Sequence, residues 1–162
     1  MEDWVQIDGF PEYSVSDQGN VRHDRFDRLV HPRANQYGSV YVGLQNHGVQ
    51  YCRSLPLIVA EAFIPQGVAT FDTPINLSGD RFDCRVENLM WRPRWFARKY
   101  NQQMKDPYSD SIMEPIRCVE TGEYFPTSFE AAVRYGLLDA EVVGSINYMT
   151  TTWPTYLRFE LG

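Results

Sequence analysis

A loop-rich hairpin is predicted over residues 76–86, whose sequence is NLSGDRFDCRV and whose turn is Ser78-Gly79-Asp80. Upstream, residues 57–63 form an apolar run that predicts a buried helix, and Pro65 ends it. Downstream, Pro93 suits a first helical position, and a helix is predicted from there to about residue 104. The middle of the chain is therefore expected to contain a helix, a hairpin and a second helix.

Short strands are predicted before this segment. Turn residues and period-2 alternation place them within residues 4–7, 13–15, 21–22, 40–44 and 49–53. The first part of the chain is thus predicted to be a small β-rich module.

The C-terminal part predicts strands followed by helices. A linker is predicted at 106–115, and two strands flank the turn Thr121-Gly122. Thr127 and Glu130 form a capping-box signature for a helix that ends near Gly136, and Asp139 can cap another helix. The predicted fold class is α+β: a β-rich N-terminal module, a ββα-type core, and a C-terminal β-hairpin with a helix-turn-helix-like module.

Composition excludes several classes of protein. The chain has 162 residues, and its 14% aromatic and 22% charged residues argue against intrinsic disorder. No apolar run approaches the length of a membrane span, and the acidic N-terminus lacks an apolar signal segment. Cys52, Cys84 and Cys118 form no C-x-x-C pair, which argues against a zinc clip or a disulfide framework. We expect a cytoplasmic protein with no membrane partner.

Charge is distributed unevenly along the chain. The formal charge is −3 over residues 1–50, +3 over 51–105 and −6 over 106–162. A polyanion contact is therefore expected in the middle segment.

The densest cationic run is WRPRWFARKY, residues 91–100. On a helix Arg94 and Arg98 would share a face. The predicted DNA-binding set comprises Arg81, Arg85, Arg92, Arg94, Arg98 and Lys99. The alternative is that Trp91, Trp95 and Phe96 belong to the core and the arginines form its solvated rim. Both interpretations stay open, since they do not exclude each other.

Three runs resemble the modules of HNH homing endonucleases of the phage and mobile-element type. The first, Trp4-x-x-Ile7-x-Gly9-Phe10-x-x-Tyr13-x-Val15-Ser16-x-x-Gly19-x-Val21-Arg22, resembles their N-terminal NUMOD-type module. The second joins Val59-Ala60-Glu61-Ala62-Phe63-Ile64-Pro65 to Gly79-Asp80 and to Arg85-Val86-Glu87-Asn88-Leu89-x-Trp91, and looks like their nuclease core. The third, Ile116-Arg117-Cys118-Val119-Glu120-Thr121-Gly122-Glu123 followed by Ala131-Ala132, is similar to their C-terminal DNA-binding repeat. The resemblance implies a NUMOD-like module at 1–50, an HNH core at 51–105, a linker at 106–115 and a C-terminal module at 116–162.

The resemblance also implies a catalytic site with one divalent metal ion, a histidine base that activates water, and an asparagine that orients this base. The register set by Gly79-Asp80 puts the base position on Asn76 and the orienting asparagine on Asn88. The metal positions fall on Ile75 and near Ala97. Pro56 replaces the histidine that often starts the core helix of the family.

These substitutions predict a degenerate site. The amide of Asn76 cannot take up a proton near neutral pH, and Ile75 and Ala97 have no lone pair for a hard cation. We therefore expect neither catalytic residues nor a metal cofactor, with Mg²⁺ required only if a rebuilt site keeps nuclease activity.

Other side chains are candidates for such rebuilding. The three histidines, His23, His31 and His47, lie upstream of the core and are typical of surface or turn positions. Three carboxylates lie near the implied site in sequence: Asp72, Asp80 and Asp83. One of them could bind Mg²⁺ with Asn76 or Asn88, although Asp80 also suits support of the hairpin turn.

Three hypotheses for function follow. The first is a phage-encoded, HNH-like protein that has lost catalysis and binds double-stranded DNA through the basic central segment. The alternative is a scaffold that binds a protein, either a virion component or a host or defence protein, because Met149-Thr150-Thr151-Thr152-Trp153-Pro154 lacks the basic residues usual in the family. The third is an active metal-dependent endonuclease with a rebuilt site.

Overall fold

The strands of the N-terminal part of the chain pair in an antiparallel manner. The structure is a computed structural model that describes residues 1–162. The strands here are β1 (Trp4–Ile7), β2 (Phe10–Ser16), β3 (Val21–His23), β4 (Arg28–Val30), β5 (Arg33–Ala34), β6 (Val40–Asn46) and β7 (Val49–Ser54). They form one sheet in the order β1-β2-β3-β4 and a second in the order β5-β6-β7. Val40, Val42 and Leu44 are buried along β6, as the period-2 pattern predicts, whereas every residue of the edge strand β7 is exposed.

The central helix and hairpin follow. Helix α1 (Leu55–Phe63) begins two residues before its predicted start, because the Ser54 side chain accepts the N–H of Leu57 and Pro56 fits the first helical turn. Strand β8 (Thr73–Asn76) pairs with β9 (Leu89–Arg92), and a 3₁₀ turn at Val86–Asn88 leads into β9. The hairpin predicted around Ser78-Gly79-Asp80 is therefore present.

One hydrophobic core serves this whole region. It joins Val15 and Val42 of the N-terminal sheets to Val59 of α1 and to Cys84 and Leu89 of the hairpin. The chain divides into two compact units, residues 1–94 and 95–162, so that residue 50 lies inside the first unit. The sequence-based division at residues 50, 105 and 115 is one of motifs and stays a prediction.

The second unit contains most of helix α2 and all later elements. These are α2 (Arg94–Lys105), β10 (Ile116–Cys118), β11 (Tyr124–Phe125), α3 (Ser128–Tyr135), α4 (Asp139–Tyr148) and β12 (Phe159–Leu161). Its sheet has the order β11-β10-β12, and Gly136 ends α3 at φ +64°, as the sequence predicts. The Thr127 hydroxyl donates to the Glu130 carboxylate, a side-chain pairing in place of the full capping box.

The mixture of small sheets and helices confirms the predicted α+β class. No helix of this structure combines the length and the apolar character needed to cross a bilayer.

Candidate nucleic-acid interface

Asn76 and Asn88 lie at the ends of the β8–β9 hairpin and meet at one backbone atom. The side-chain Nδ2 of Asn76 donates to the carbonyl oxygen of Asp83 at 3.0 Å, and the Nδ2 of Asn88 donates to the same oxygen at 2.8 Å. The Oδ1 of Asn88 accepts the backbone N–H of Ser78 at 3.0 Å. Both asparagines are buried. These bonds, which we call the asparagine brace, close the turn between the two strands.

The acidic residues of this turn are occupied by local contacts. Asp80 Oδ1 accepts the N–H of Phe82 at 3.0 Å, which supports the turn. Asp83 accepts two bonds from the Arg85 guanidinium, at 2.8 Å and 2.9 Å, and Glu87 lies 3.3 Å from the same guanidinium. The hydrogen bond from Arg85 holds the pKa of Asp83 below its usual range. Arg85 is thus committed to two carboxylates.

The turn also packs closely on the N-terminal sheet region. Gly19 has φ +80°, and a Cβ built there would lie 2.9 Å from the carbonyl carbon and oxygen of Cys84. The N–H of Val86 donates to the carbonyl of Asp17 at 2.9 Å. The turn at 17–20 is therefore fitted against the backbone of residues 84–86.

Cys84 is buried beneath the brace, 3.9 Å from the Nδ2 of Asn76. Burial raises the pKa of its thiol to about 11. Cys118 is also buried, whereas Cys52 is exposed on β7.

These environments predict selective thiol chemistry. In the native protein at pH 8, one thiol, that of Cys52, is expected to react rapidly with a disulfide reagent, and all three are expected to react after denaturation. Because Cys84 stays protonated in the native state at a pH at which the unfolded thiol ionises, the free energy of unfolding should fall between about pH 9 and 11. Reagent titration and chemical denaturation of wild type and Cys84→Ala across that range measure both effects. Rapid modification of two or more native thiols would contradict the arrangement.

The predicted cationic residues of the first unit are only partly available at its surface. Arg92 is buried, because it lies on β9 opposite Thr73 and its Nη1 donates to the Trp91 carbonyl. Arg81 is half-buried, and burial lowers the pKa of its guanidinium. Arg85 is paired with carboxylates and Arg92 is buried, so both are less available to phosphate than an exposed, unpaired cation, and the predicted DNA-binding set stays a prediction.

Helix α2 carries three of the predicted DNA-binding cations, and all three are exposed. Its twelve residues include no acid, and Arg94, Arg98 and Lys99 are exposed. None of the three forms an ion pair. At 3.6 residues per turn they lie, with Trp95, within an arc of about 140° around the helix. We call this the cationic face of α2.

The aromatic residues of this segment divide between the two sequence-based interpretations. Trp91 is buried and donates its indole N–H to the Ile64 carbonyl, and Phe96 is buried as well. Trp95 is 52% exposed. Core aromatics and exposed cations thus occur together in this segment.

A cavity of about 630 Å³ borders the cationic face within the second unit. Arg98 and Lys99 line it together with four acids, Asp106, Asp110, Asp139 and Glu141. The negative charges of these four carboxylates repel phosphate. Of the three cations on this face, Arg94 alone does not line the cavity with these carboxylates.

Histidines and carboxylates form no metal-binding cluster in this structure. His31 and His47 are exposed, and the Nε2 of His23 lies 3.7 Å from a Glu12 carboxylate oxygen. Asp72 accepts a bond from the Thr73 hydroxyl.

Comparison with known proteins gives three similarities. Residues 2–45 match the family model of the NUMOD4 motif. Over 90 residues, which are 54% of this chain, the sequence is 31% identical to an uncharacterized HNH endonuclease of Acanthamoeba polyphaga mimivirus, and the match spans 22% of that protein. The structure resembles that of I-HmuI, an HNH homing endonuclease that binds and cleaves DNA. The TM-score is 0.54 and the sequence identity is 17%, and the match covers 99% of this chain and 98% of the other.

This chain is similar to HNH endonucleases in part of its sequence and to an HNH homing endonuclease in its fold. The resemblance drawn from its sequence is thereby confirmed. The match covers only about a fifth of the length of the mimivirus protein.

The residues at the positions that the sequence resemblance assigns to a metal ion do not suit such an ion. At the implied positions Ile75 and Ala97 offer no oxygen or nitrogen side-chain donor, and the Asn76 amide is engaged with the Asp83 carbonyl. Pro56 is buried in the first turn of α1.

Sequence reasoning missed one cationic feature of this chain. All four basic residues of the first fifty, Arg22, Arg25, Arg28 and Arg33, lie within twelve positions. Arg25 and Arg28 lie 5.4 Å and 5.7 Å from the ring of Phe26, which is 57% exposed. A net count over the whole segment conceals this cluster, whereas a shorter window would have found it.

Proposed function

We propose that this chain binds double-stranded DNA through the cationic face of α2 and does not cleave it. The observation that carries the proposal is a twelve-residue helix without acids whose exposed Arg94, Arg98 and Lys99 have no ion-pair partner. Unpaired arginines are well suited to bind phosphate, because binding releases the counterions of the phosphate and no existing ion pair has to be broken first. The likeness to I-HmuI, an HNH homing endonuclease that binds and cleaves DNA, supports the same ligand.

Loss of catalysis is the second part of the proposal. The asparagine brace occupies the amides of Asn76 and Asn88 with a backbone carbonyl, and neither Ile75 nor Ala97 can ligate a metal. Absence of a general base alone typically costs about 10²–10⁴ in rate. We further propose a phage or mobile-element origin and a cytoplasmic location.

Gel shift across salt concentrations tests DNA binding. If about four phosphates are neutralised, log K should fall with log[salt] with a slope of about −3 to −4. Replacing Arg94 and Arg98 together with alanine should weaken binding about tenfold at low salt and reduce that slope by about 2. Arg134→Ala is the matched control, because Arg134 is exposed on α3 but paired with Glu123, and it should leave both quantities unchanged. An unchanged slope in the double variant would contradict the proposal.

A supercoiled plasmid tests the absence of cleavage. We expect no nicking above the buffer control in Mg²⁺ or Mn²⁺. Nicking that co-purifies with the protein and is lost in a folded Asn88→Ala variant would establish the nuclease alternative.

One observation favours a protein partner as second candidate. Residues 142–157 contain no charged side chain, and Tyr148, Met149 and Tyr156 are 77%, 93% and 65% exposed. Exposed apolar residues in an uncharged segment are typical of protein contact. Absence of salt-dependent DNA binding in the gel shift would favour this candidate.

A further inference from the structure

Trp95 differs from the other aromatic residues of α2 in its exposure. Phe96 and Tyr100 are 1% and 0% exposed, whereas Trp95 is 52% exposed although its burial would remove a large apolar surface from water. The exposed half of the indole lies on the cationic face of α2 and is therefore accessible to a ligand bound there.

The indole of Trp95 is held in place on one side. It stacks on Trp153 with ring centroids 5.4 Å apart and an interplanar angle of 23°, and it meets the edge of Phe96 at 5.8 Å. Phe96 also contacts Trp153 at 5.9 Å. A ring fixed by two neighbours loses little conformational freedom when another flat ring stacks on it.

The surroundings of Trp95 are cationic. Arg94 precedes it, Arg98 follows one turn later, and the Nζ of Lys99 lies 5.6 Å from its ring centroid. The Lys99 ammonium is carried on a flexible stem and can turn toward a phosphate when another ring takes its place over the indole. A nucleotide combines the two properties that this surface complements, a flat π-system and a negative phosphate.

We propose that Trp95 is a stacking platform for one unpaired nucleobase in bound DNA, with the phosphates beside that base held by Arg94, Arg98 and Lys99. The inference rests on the proposed DNA binding and adds a base-contacting residue to it. The protein therefore prefers a duplex that contains an unpaired base over a fully paired duplex, because a base that has already left the stack need not be unstacked.

Fluorescence anisotropy with two labelled duplexes tests the inference, one fully paired and one identical except for a single unpaired adenine. The wild type should bind the second duplex about tenfold more tightly. Trp95→Ala should abolish this preference, and Trp95→Phe should keep part of it. Tyr37→Ala is the control, because Tyr37 is 74% exposed without a ring or cation contact, and it should behave as wild type.

A second readout does not depend on affinity. The chain has four tryptophans, and stacking of the adenine should quench part of their fluorescence in the wild type but not in Trp95→Phe. Far- and near-ultraviolet circular dichroism establishes that each variant is folded, and Trp95→Phe carries the test if Trp95→Ala is not.

The outcomes separate the two proposals. Salt-dependent binding of both duplexes with equal affinity, and equal quenching in Trp95→Phe, would overturn the stacking role and leave DNA binding standing. Failure of the wild type to bind either duplex in a salt-dependent manner would overturn both. If Trp95→Phe keeps both the full preference for the unpaired base and the full fluorescence quenching, the platform is another residue and the inference is contradicted.

Discussion

Replacing Gly19 with alanine is expected to lower the free energy of unfolding by about 2–5 kcal/mol. At φ +80° the backbone is left-handed, and placing a side chain on it costs about 1–2 kcal/mol of folding free energy. The added Cβ would also lie 2.9 Å from the carbonyl carbon and oxygen of Cys84. Because those atoms are backbone, relief requires the turns at 17–20 and 84–86 to separate, at a further cost of about 1–3 kcal/mol.

Gly9→Ala is the matched control for this prediction. Gly9 has the same φ of +80°, but nothing lies within 4 Å of a Cβ built there. It should cost only the backbone part, about 1–2 kcal/mol. Urea denaturation of both variants measures the difference, which reports the close approach alone. Equal losses in the two variants would show that the contact between the turns is looser than described.

Asn88→Ala is expected to lower the free energy of unfolding by about 2 kcal/mol, because it removes a buried amide that makes two hydrogen bonds. The N–H of Ser78 loses its acceptor, and the carbonyl of Asp83 keeps only Asn76. The effect should appear equally in the presence and absence of divalent metal ions, since the partners of the Asn88 amide are main-chain groups. Thermal and urea denaturation with Mg²⁺ or EDTA measures it.

Asn147→Ala provides the comparison, because Asn147 is exposed near the end of α4 and makes no side-chain hydrogen bond. Its effect should stay within about 0.5 kcal/mol. Stability of Asn88→Ala equal to that of wild type, or a loss that appears only with metal, would contradict the purely structural role of the brace.

Local signals in the sequence were sufficient for much of the fold. The helix α3 ends at Gly136 because a left-handed residue is needed there, and the alternation along β6 places Val40, Val42 and Leu44 in the core. The position of α2 followed from Pro93 and from the pattern of residues 94–105. Each of these features depends on neighbours within a few positions.

Features that depend on distant residues were not predictable in this way. Arg92 carries a charge and yet is buried, because its place on β9 is set by pairing with β8. The fork between Arg85 and Asp83 competes with phosphate, a contact that residue counting cannot reveal. The sequence resemblance predicts that Asn76 and Asn88 occupy positions of a catalytic site, but their convergence on one oxygen required the three-dimensional arrangement.

The oxygen on which both asparagines converge belongs to the main chain of residue 83 and not to its side chain. Every amino acid presents that same oxygen. Mutational drift at position 83 should therefore preserve the two bonds from the asparagines and change mainly the ion pairing of Arg85, which would keep Glu87 as its partner. A single codon change there would alter the surface charge beside the turn with little cost to the architecture.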